Sequence, residues 1–520
     1  MGAYAQPILS THVPDAVRNG SAVRVADVPA SQHLNLAITL PLRNEQQLDA
    51  FISSLYDPAS LNFRQYLSVA DFTTQYGPSE ADFDEVLRFA AANHLTVTNH
   101  AANRLVVDVA GRAADVEKAF HVHLGLYKHP TEARNFYAPD AEPSVDLNAS
   151  IQHVEGLDNY ALPFAHFLAP DATTEARSTG TGSGPSGSFL GSDIRAAYYG
   201  GTALTGAGQS VGLLEMAGYN LSDVQTYFSK IGQPLNVSVV GVSVNGASLT
   251  CTGKCDDSEQ VLDIEQSISM APGLSKVQVY VGTKGASILN QMASDNTAKQ
   301  LSSSWGWRAN ASGEDPIYKE FQAQGQSFVD ATGDDGYHLA EGGVWPADDP
   351  NVTAIGGTTL VTNGAGGSWK SEAGWTDSGG GPSPNKEAIP SYQVPFITTS
   401  NGGSKTLRNV PDVAGVASNF YVCADGSCTT GYGGTSFAAP LWAGFIALVN
   451  QQAASQGHAV VGWLNPTLYT LGGSSAYATE FHDETSGNNG KYNAVSGFDL
   501  VTGFGSPQGQ TLINAIIKGS

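Results

Sequence analysis

Apolar and polar residues alternate over residues 33–40, which predicts a strand. They recur at three- and four-residue spacing over 44–54 and 81–93, which predicts two amphipathic helices. Residues 105–109 read as a second strand, 113–119 as a helix and 121–127 as a third strand. Strands alternating with helices in a unit of this size imply a compact α/β sandwich of the split βαβ kind. Past residue 189 the texture changes. Short, mostly apolar runs at 211–214, 277–281, 300–304, 326–331 and 352–356 are separated by helical stretches at 222–231 and 286–296. That pattern predicts a mainly parallel sheet covered by helices on both faces, with functional groups at the strand ends. The longest apolar stretch follows Gly433-Gly434-Thr435-Ser436 and predicts a buried helix, with Pro440 in its first turn and Gly457 to stop it.

Between the two textures, residues 169–188 collapse to Pro, Thr, Ser and Gly, the composition of an exposed linker open to proteolysis. The chain therefore divides into residues 1–167, a linker at 168–188 carrying a processing site, and a second domain at 189–520. No internal repeat interrupts this order.

Composition narrows the function. The chain has 25 Lys+Arg against 48 Asp+Glu, a formal charge of −23, which argues against nucleic acid and anionic membranes as partners. Only 14% of residues are charged while 59 are Gly, a surface poor in ionisable groups that suits an acidic medium. Four cysteines fall as the close pairs Cys251/Cys255 and Cys423/Cys428; with no histidine at ligand spacing, two local disulfides and an export compartment are expected. No apolar run reaches the ~18 residues of a membrane helix, and Ala3-Tyr4-Ala5 resembles the end of an export signal. Nine of the 12 histidines (His12, His33, His94, His100, His121, His123, His129, His153 and His166) lie before residue 168. Charging together in acid, they would loosen an interface, with His121 and His123 as the test positions.

Ser436 falls at a helix start, with glycines before it and free backbone N–H groups around it, where a nucleophile and an oxyanion site belong. A serine nucleophile needs a base. The second domain contains only His338, His458 and His482, none in a catalytic setting, so a carboxylate is the alternative. Glu259 and Asp263, four apart on a predicted helix, share one face and titrate as a unit. Gly333-Asp334-Asp335-Gly336 reads as a turn after a buried strand, and a protonated Asp334 there would donate a hydrogen bond to an oxyanion.

Three motifs together, Gly-Thr-Ser-x-x-x-Pro at 434–440, Glu-x-x-x-Asp at Glu259 and Asp263, and Gly-Asp-x-Gly at 333–336, resemble the sedolisins, the serine-carboxyl peptidases, especially the kumamolisin-like members. Residues 57–159 carry segments resembling that family's activation prodomain, among them Val107-Asp-Val-Ala-Gly111 and Gly156-Leu-Asp-Asn159. The resemblance implies a subtilisin-like α/β catalytic domain with a mainly parallel sheet, preceded by a small ferredoxin-like α/β prodomain that acts as an intramolecular inhibitor. It implies Ser436 as nucleophile, Glu259 as general base and acid, Asp263 as its orienting partner and Asp334 as oxyanion donor. Glu215 and Trp305 would extend the hydrogen-bond chain behind Glu259. It further implies a C-terminal loop for one Ca²⁺ ion, bound by the side chains of Asp483 and Asp499 and the backbone oxygens of Glu484, Val495 and Gly497, the hard ligands calcium takes. The expected protein is a secreted, monomeric, acid-acting endopeptidase made as a self-processing zymogen. The alternatives are a subtilisin-like neutral peptidase, opposed by the missing histidine motif, and an inactive secreted binding protein on the same scaffold, opposed by the intact Ser436, Glu259, Asp263 and Asp334 set.

Overall fold

The computed structural model describes residues 5–170, 180–253, 255–308, 311–337 and 344–519. The first domain is built on a four-stranded antiparallel sheet in the spatial order Thr96–His100, Val106–Arg112, His33–Thr39, His153–Glu155. With helices after the first and third strands in sequence, this is the ferredoxin-like split βαβ topology. Alternation along His33–Thr39 divides the labour. Leu34, Leu36 and Ile38 face the helices Glu80–Ala92 and Ala113–Phe120, whereas Ala37 on the opposite face joins a core shared with the second domain. The strand Thr96–His100 was not predicted, because a polar edge strand (Thr, Val, Thr, Asn, His) carries little apolar signal.

The second domain holds an eight-stranded sheet. Six strands run in parallel in the order Ser238–Ser243, Lys276–Val281, Ser210–Glu215, Gln300–Ser303, Ser327–Ala331, Thr353–Thr362, and the last of these also pairs in parallel with Val413–Val416. Trp369–Gly374 closes the edge antiparallel. Strand order reverses where Ser210–Glu215 meets Gln300–Ser303, and the carboxyl ends of strands at such a switch point form the natural crevice of an open α/β sheet. The helices Ser258–Met270 and Thr435–Ser455 pack against each other beneath it, the first with every residue buried.

Pro440 does not fall in the first turn as expected. The helix begins at Thr435, so Pro440 lies in the second turn and cannot donate to the Ser436 carbonyl. The Ser304 hydroxyl reaches that carbonyl instead, at 3.4 Å. Gly457, at φ +75°, follows the helix end as predicted.

The linker expectation needs correcting over its described part; residues 171–179 lie outside the described residues. Residues 180–188 are not a free tether. The Ser183 backbone N–H donates to buried Asp193 at 2.9 Å, Ser188 is fully buried, and the Phe189 N–H donates to the Asn419 carbonyl at 2.7 Å. Composition announced flexibility, but Asp193 gives these small residues a fixed hydrogen-bond partner. Both close cysteine pairs form disulfides, Cys251–Cys255 and Cys423–Cys428, the latter across the hairpin Phe420–Ala424 and Ser427–Tyr432. Among the described residues no helix is long and apolar enough to cross a membrane.

The two domains share a core in which Leu48, Ile52, Leu55 and Phe72 of the first pack with Leu289, Met292, Ile317 and Phe321 of the second. Polar contacts fix the docking. Glu155 accepts the Gly285 and Ala286 N–H groups at 3.3 and 3.2 Å, a carboxylate on the N-terminus of the helix Gly285–Asp295. Arg64 donates to the Ile516 and Ile517 carbonyls, both at 2.7 Å. His121 and His123 are not at this junction. They are solvent-exposed, within 3.5 Å of Asp146 and 3.1 Å of Glu117 respectively. The histidines near the junction are the buried His12 and His166 and the half-buried His153.

Candidate active site

Gly434, at φ +141°, turns the chain into the helix Thr435–Ser455 and presents Ser436 at its first turn, fully buried. The Ser436 hydroxyl donates to Glu259 Oε2 at 3.0 Å. Glu259 and Asp263 lie on one face of the helix Ser258–Met270, and behind them Glu215 ends the strand Ser210–Glu215. The three carboxyls adjoin: Asp263 is hydrogen-bonded to both Glu259 and Glu215. The Trp305 indole N–H closes the row on Glu215 Oε2 at 2.9 Å. Sequence spacing placed Glu259 beside Asp263, and the sheet switch point brings the other members to them.

Glu259 Oε1, Asp263 Oδ2 and Glu215 Oε1 are buried with no donor of their own. Protons held between the carboxyls satisfy them, and the row titrates as a unit. Burial first, and then repulsion among its members, push Glu259 and Glu215 well above the usual carboxylate range; burial raises Asp263 as well.

Asp334 sits in a turn between Gly333 and Gly336, at φ +96° and +62°. Its Oδ1 accepts the Thr435 backbone N–H at 2.8 Å and hydroxyl at 2.9 Å, while its buried Oδ2 has no partner. Burial pushes this carboxyl up to about 8, against the lowering effect of Thr435. Its unpartnered Oδ2 is the atom left open to a further hydrogen bond. A β-carbon at Gly434 would lie 2.8 Å from that oxygen, so no side chain fits there.

Sequence inspection missed three contributors. The Ser304 hydroxyl donates to Asp263 Oδ1 at 2.8 Å, and Thr435 orients Asp334; both sit inside motifs already visible, but their partners are distant in sequence. The third is the chain's own segment 164–168. Phe164–Ala165 pairs antiparallel with Trp305–Gly306, the His166 N–H donates to the Ser304 carbonyl at 3.0 Å, and Leu168 bridges antiparallel to Gly433. The His166 carbonyl accepts from the Ser436 N–H at 3.1 Å and lies against the Ser436 hydroxyl oxygen. This places an intact peptide group across the nucleophile, upstream of the 168–188 range expected for processing. No histidine ring serves as a base to Ser436 among the described residues; the His166 ring lies against Gly333 with Nε2 unpartnered, and His338 falls outside them.

Asp483 and Asp499 meet at one C-terminal turn. Asp499 Oδ2 accepts the Val495 N–H at 2.9 Å and Asp483 Oδ1 accepts the Gly497 N–H at 3.1 Å. The turn supplies oxygen donors only, and no Lys or Arg pairs with either acid among the described residues. The donor chemistry fits a hard cation. No cluster of three or more ligating side chains is found among the described residues, so backbone oxygens must complete any such site.

Comparison with known proteins adds an independent line. The family described as Pro-kumamolisin, activation domain, matches residues 21–160, and the subtilase family matches residues 216–496. Kumamolisin from Bacillus sp. (strain MN-32) is 32% identical, with 95% of this chain and 94% of that protein aligned. Sedolisin from Pseudomonas sp. (strain 101) is 29% identical over 95% of this chain and 89% of its own length. The solved structure of Pseudomonas sedolisin, a serine-carboxyl proteinase complexed with pseudo-iodotyrostatin, superimposes with a TM-score of 0.55 at 28% identity, covering 65% of this chain and 99% of that one.

Proposed function

The chain belongs to the sedolisin family of serine-carboxyl peptidases, with a kumamolisin-type activation domain ahead of a subtilisin-like catalytic domain, and from that membership we propose an exported, acid-acting endopeptidase that processes itself. The observation carrying this reading is the Ser436 hydroxyl on Glu259, with a peptide carbonyl already at the same oxygen. In the proposed reaction Ser436 Oγ attacks the carbonyl carbon and its proton passes to Glu259. Asp263 and Glu215 hold that carboxyl in place. The oxyanion is stabilised by the Ser436 N–H and the Asp334 carboxylic proton. Glu259 then protonates the leaving amine, and water, activated by Glu259, releases the acyl group from Ser436.

Acid action follows from two requirements. Asp334 must keep its proton, and the Glu259 row must be only partly protonated. When the covering segment leaves and water enters, burial weakens and both sets move back toward the ordinary carboxylate values of ~4. A cleft that holds chain continuing in both directions, as 164–168 does, supports endopeptidase action. The disulfides and the acidic, charge-poor composition support export. The processing bond we assign is His166–Phe167.

Asp334→Ala is expected to lower kcat by ~10²–10³ with little change in KM, the usual cost of one oxyanion donor. Asp334→Asn keeps a donor that does not titrate, so it should retain much more activity and extend the alkaline limb of the pH–rate profile. Equal inactivity of both variants at every pH would remove Asp334 from the oxyanion role.

We also assign one Ca²⁺ to the C-terminal turn, held by Asp483 and Asp499 with the carbonyls of Glu484, Val495 and Gly497. When bound, the ion would tie the chain's last turns together and neutralise two acids that lack a countercharge. Adding calcium at ~100 times its Kd should stabilise the fold by about 2.7 kcal/mol. The corresponding rise in Tm should vanish in Asp499→Asn, and a Tm indifferent to both calcium and chelator would exclude the site.

A further inference from the structure

The hairpin Phe420–Ala424 and Ser427–Tyr432 has no part in the chemistry described above, yet the segment in the cleft lies along it. Leu168 and Gly433 exchange backbone hydrogen bonds at 2.7 and 3.1 Å, so the chain after the His166 carbonyl adds to this element in the manner of an extra strand. The pairing contains a bulge. Phe420 faces Tyr432 but Tyr421 faces Thr430, leaving Gly431 as the extra residue at φ +93°. A bulge re-aims the side chain beside it, here Tyr432. The Tyr432 ring lies 6.3 Å from the Phe167 ring, tilted by 33°, and both side chains are half-buried against the main core. Its hydroxyl is held by Ser258, next to Glu259.

The hairpin is itself fixed to the nucleophile. Phe420 stacks on Phe437, the residue after Ser436, with centroids 4.0 Å apart and planes within 11°. The Cys423–Cys428 bridge closes its far end. At Gly431 a β-carbon would stand 3.4 Å from the Pro170 side chain, so residues further along the bound chain also run past the bulge.

We propose that this disulfide-closed hairpin is the binding element for the leaving side of a substrate, and that Tyr432 selects an aromatic residue immediately after the cleaved bond. The inference rests on the peptidase reading above and adds a substrate class to it, namely peptides with Phe or Tyr following the scissile carbonyl.

The test uses the full chain, allowed to process itself at about pH 4, and two internally quenched octapeptides. One has the sequence of residues 163–170, and the other has Ala in place of the Phe167 equivalent. The processed protein is expected to cleave the Phe peptide with a kcat/KM on the order of tenfold higher than the Ala peptide. That ratio should fall toward one in Tyr432→Ala and persist in Tyr432→Phe, where the ring remains. Tyr432→Leu, which keeps bulk without a ring face, should give an intermediate ratio if Tyr432→Ala does not fold. Equal cleavage of the two peptides by the unsubstituted protein, or a ratio unchanged in Tyr432→Ala, overturns the assignment while leaving the peptidase reading intact. Cleavage of neither peptide at any pH overturns both.

Discussion

Ser436→Ala should leave the chain a single uncut polypeptide after prolonged incubation at about pH 4, whereas the unsubstituted chain releases a product beginning at Phe167. Mass spectrometry and N-terminal sequencing read both outcomes. The expected loss in peptide hydrolysis is on the order of 10⁴–10⁶, because a nucleophile acting with its base cannot be replaced by the residual oxyanion site. Glu259→Gln is the more discriminating variant. It preserves shape and can still accept from the Ser436 hydroxyl, now 3.0 Å from Glu259 Oε2, but it cannot take up a proton. A loss of about 10³ or more is expected, without recovery at higher pH. If Glu259→Gln processed itself at near-normal rate, some other group would be the base, and the role assigned to the carboxyl row would fall with it. A first product beginning within 171–188 would instead leave the chemistry standing and remove the His166–Phe167 assignment, which rests on the His166 carbonyl accepting from the Ser436 N–H.

Raising the pH from about 4 to 8 should cost the catalytic domain most of its stability. Its interior holds carboxyls whose burial lifts them far from their unfolded values. Glu314 is pushed up to about 8 while accepting from Trp307 at 2.9 Å and Trp345 at 2.6 Å. Glu320 is pushed to about 8 while accepting from Asn103 at 2.7 Å. Asp330 is raised well above the usual range by burial, as are Glu259 and Glu215. A group raised in the folded state contributes stability that is complete below its unfolded pKa of ~4 and is lost as pH climbs through the folded value. Glu314 and Glu320, each raised to about 8, amount to roughly 3 to 5 kcal/mol apiece by this linkage, against a total of ~5–15 kcal/mol for a typical domain. Two or three such groups therefore decide the outcome.

Tm measured from pH 3 to 9 on Ser436→Ala, which avoids self-digestion, should peak in acid and fall progressively from about pH 4.5 to about 8. Glu320→Gln, which keeps a polar partner for Asn103, should flatten that fall. A Tm that holds or rises to pH 8 would sink the argument.

The first domain contains terms of the opposite sign. His12 and His153 stack at 4.5 Å beneath the Arg308 charge, and His166 is buried in the cleft. Burial pushes His12 and His166 down to about 4, and burial with the neighbouring His12 and Arg308 charges holds His153 well below the usual histidine range. A histidine lowered in the folded state contributes stability present above ~6.5 and lost as pH falls through the folded value. Acid therefore loosens the activation domain under the same conditions that hold the catalytic domain together. The sensitive histidines are the buried ones, which a count along the sequence could not separate from exposed His121 and His123.

Local pattern alone determined a good deal of this protein. The central strands and helices of both domains, the buried helix after Ser436, the Glu259–Asp263 pair four residues apart and the two cysteine pairs were legible because each depends on neighbours within a turn or two. Asp334 was legible as a turn carboxyl able to donate once protonated, and motif resemblance added Glu215 and Trp305 by name. What only the tertiary structure decided are relations between residues far apart in the chain: Ser304 on Asp263, Asp193 tying down a Gly- and Ser-rich stretch, Pro440 one turn deeper than expected, and residues 164–168 lying across Ser436. For Ser304 on Asp263 and for residues 164–168 on Ser436 the physical reason is shared: each depends on which strand ends a parallel sheet brings together at its switch point, and that choice is made by burial of both domains' apolar faces, which no short window of sequence records.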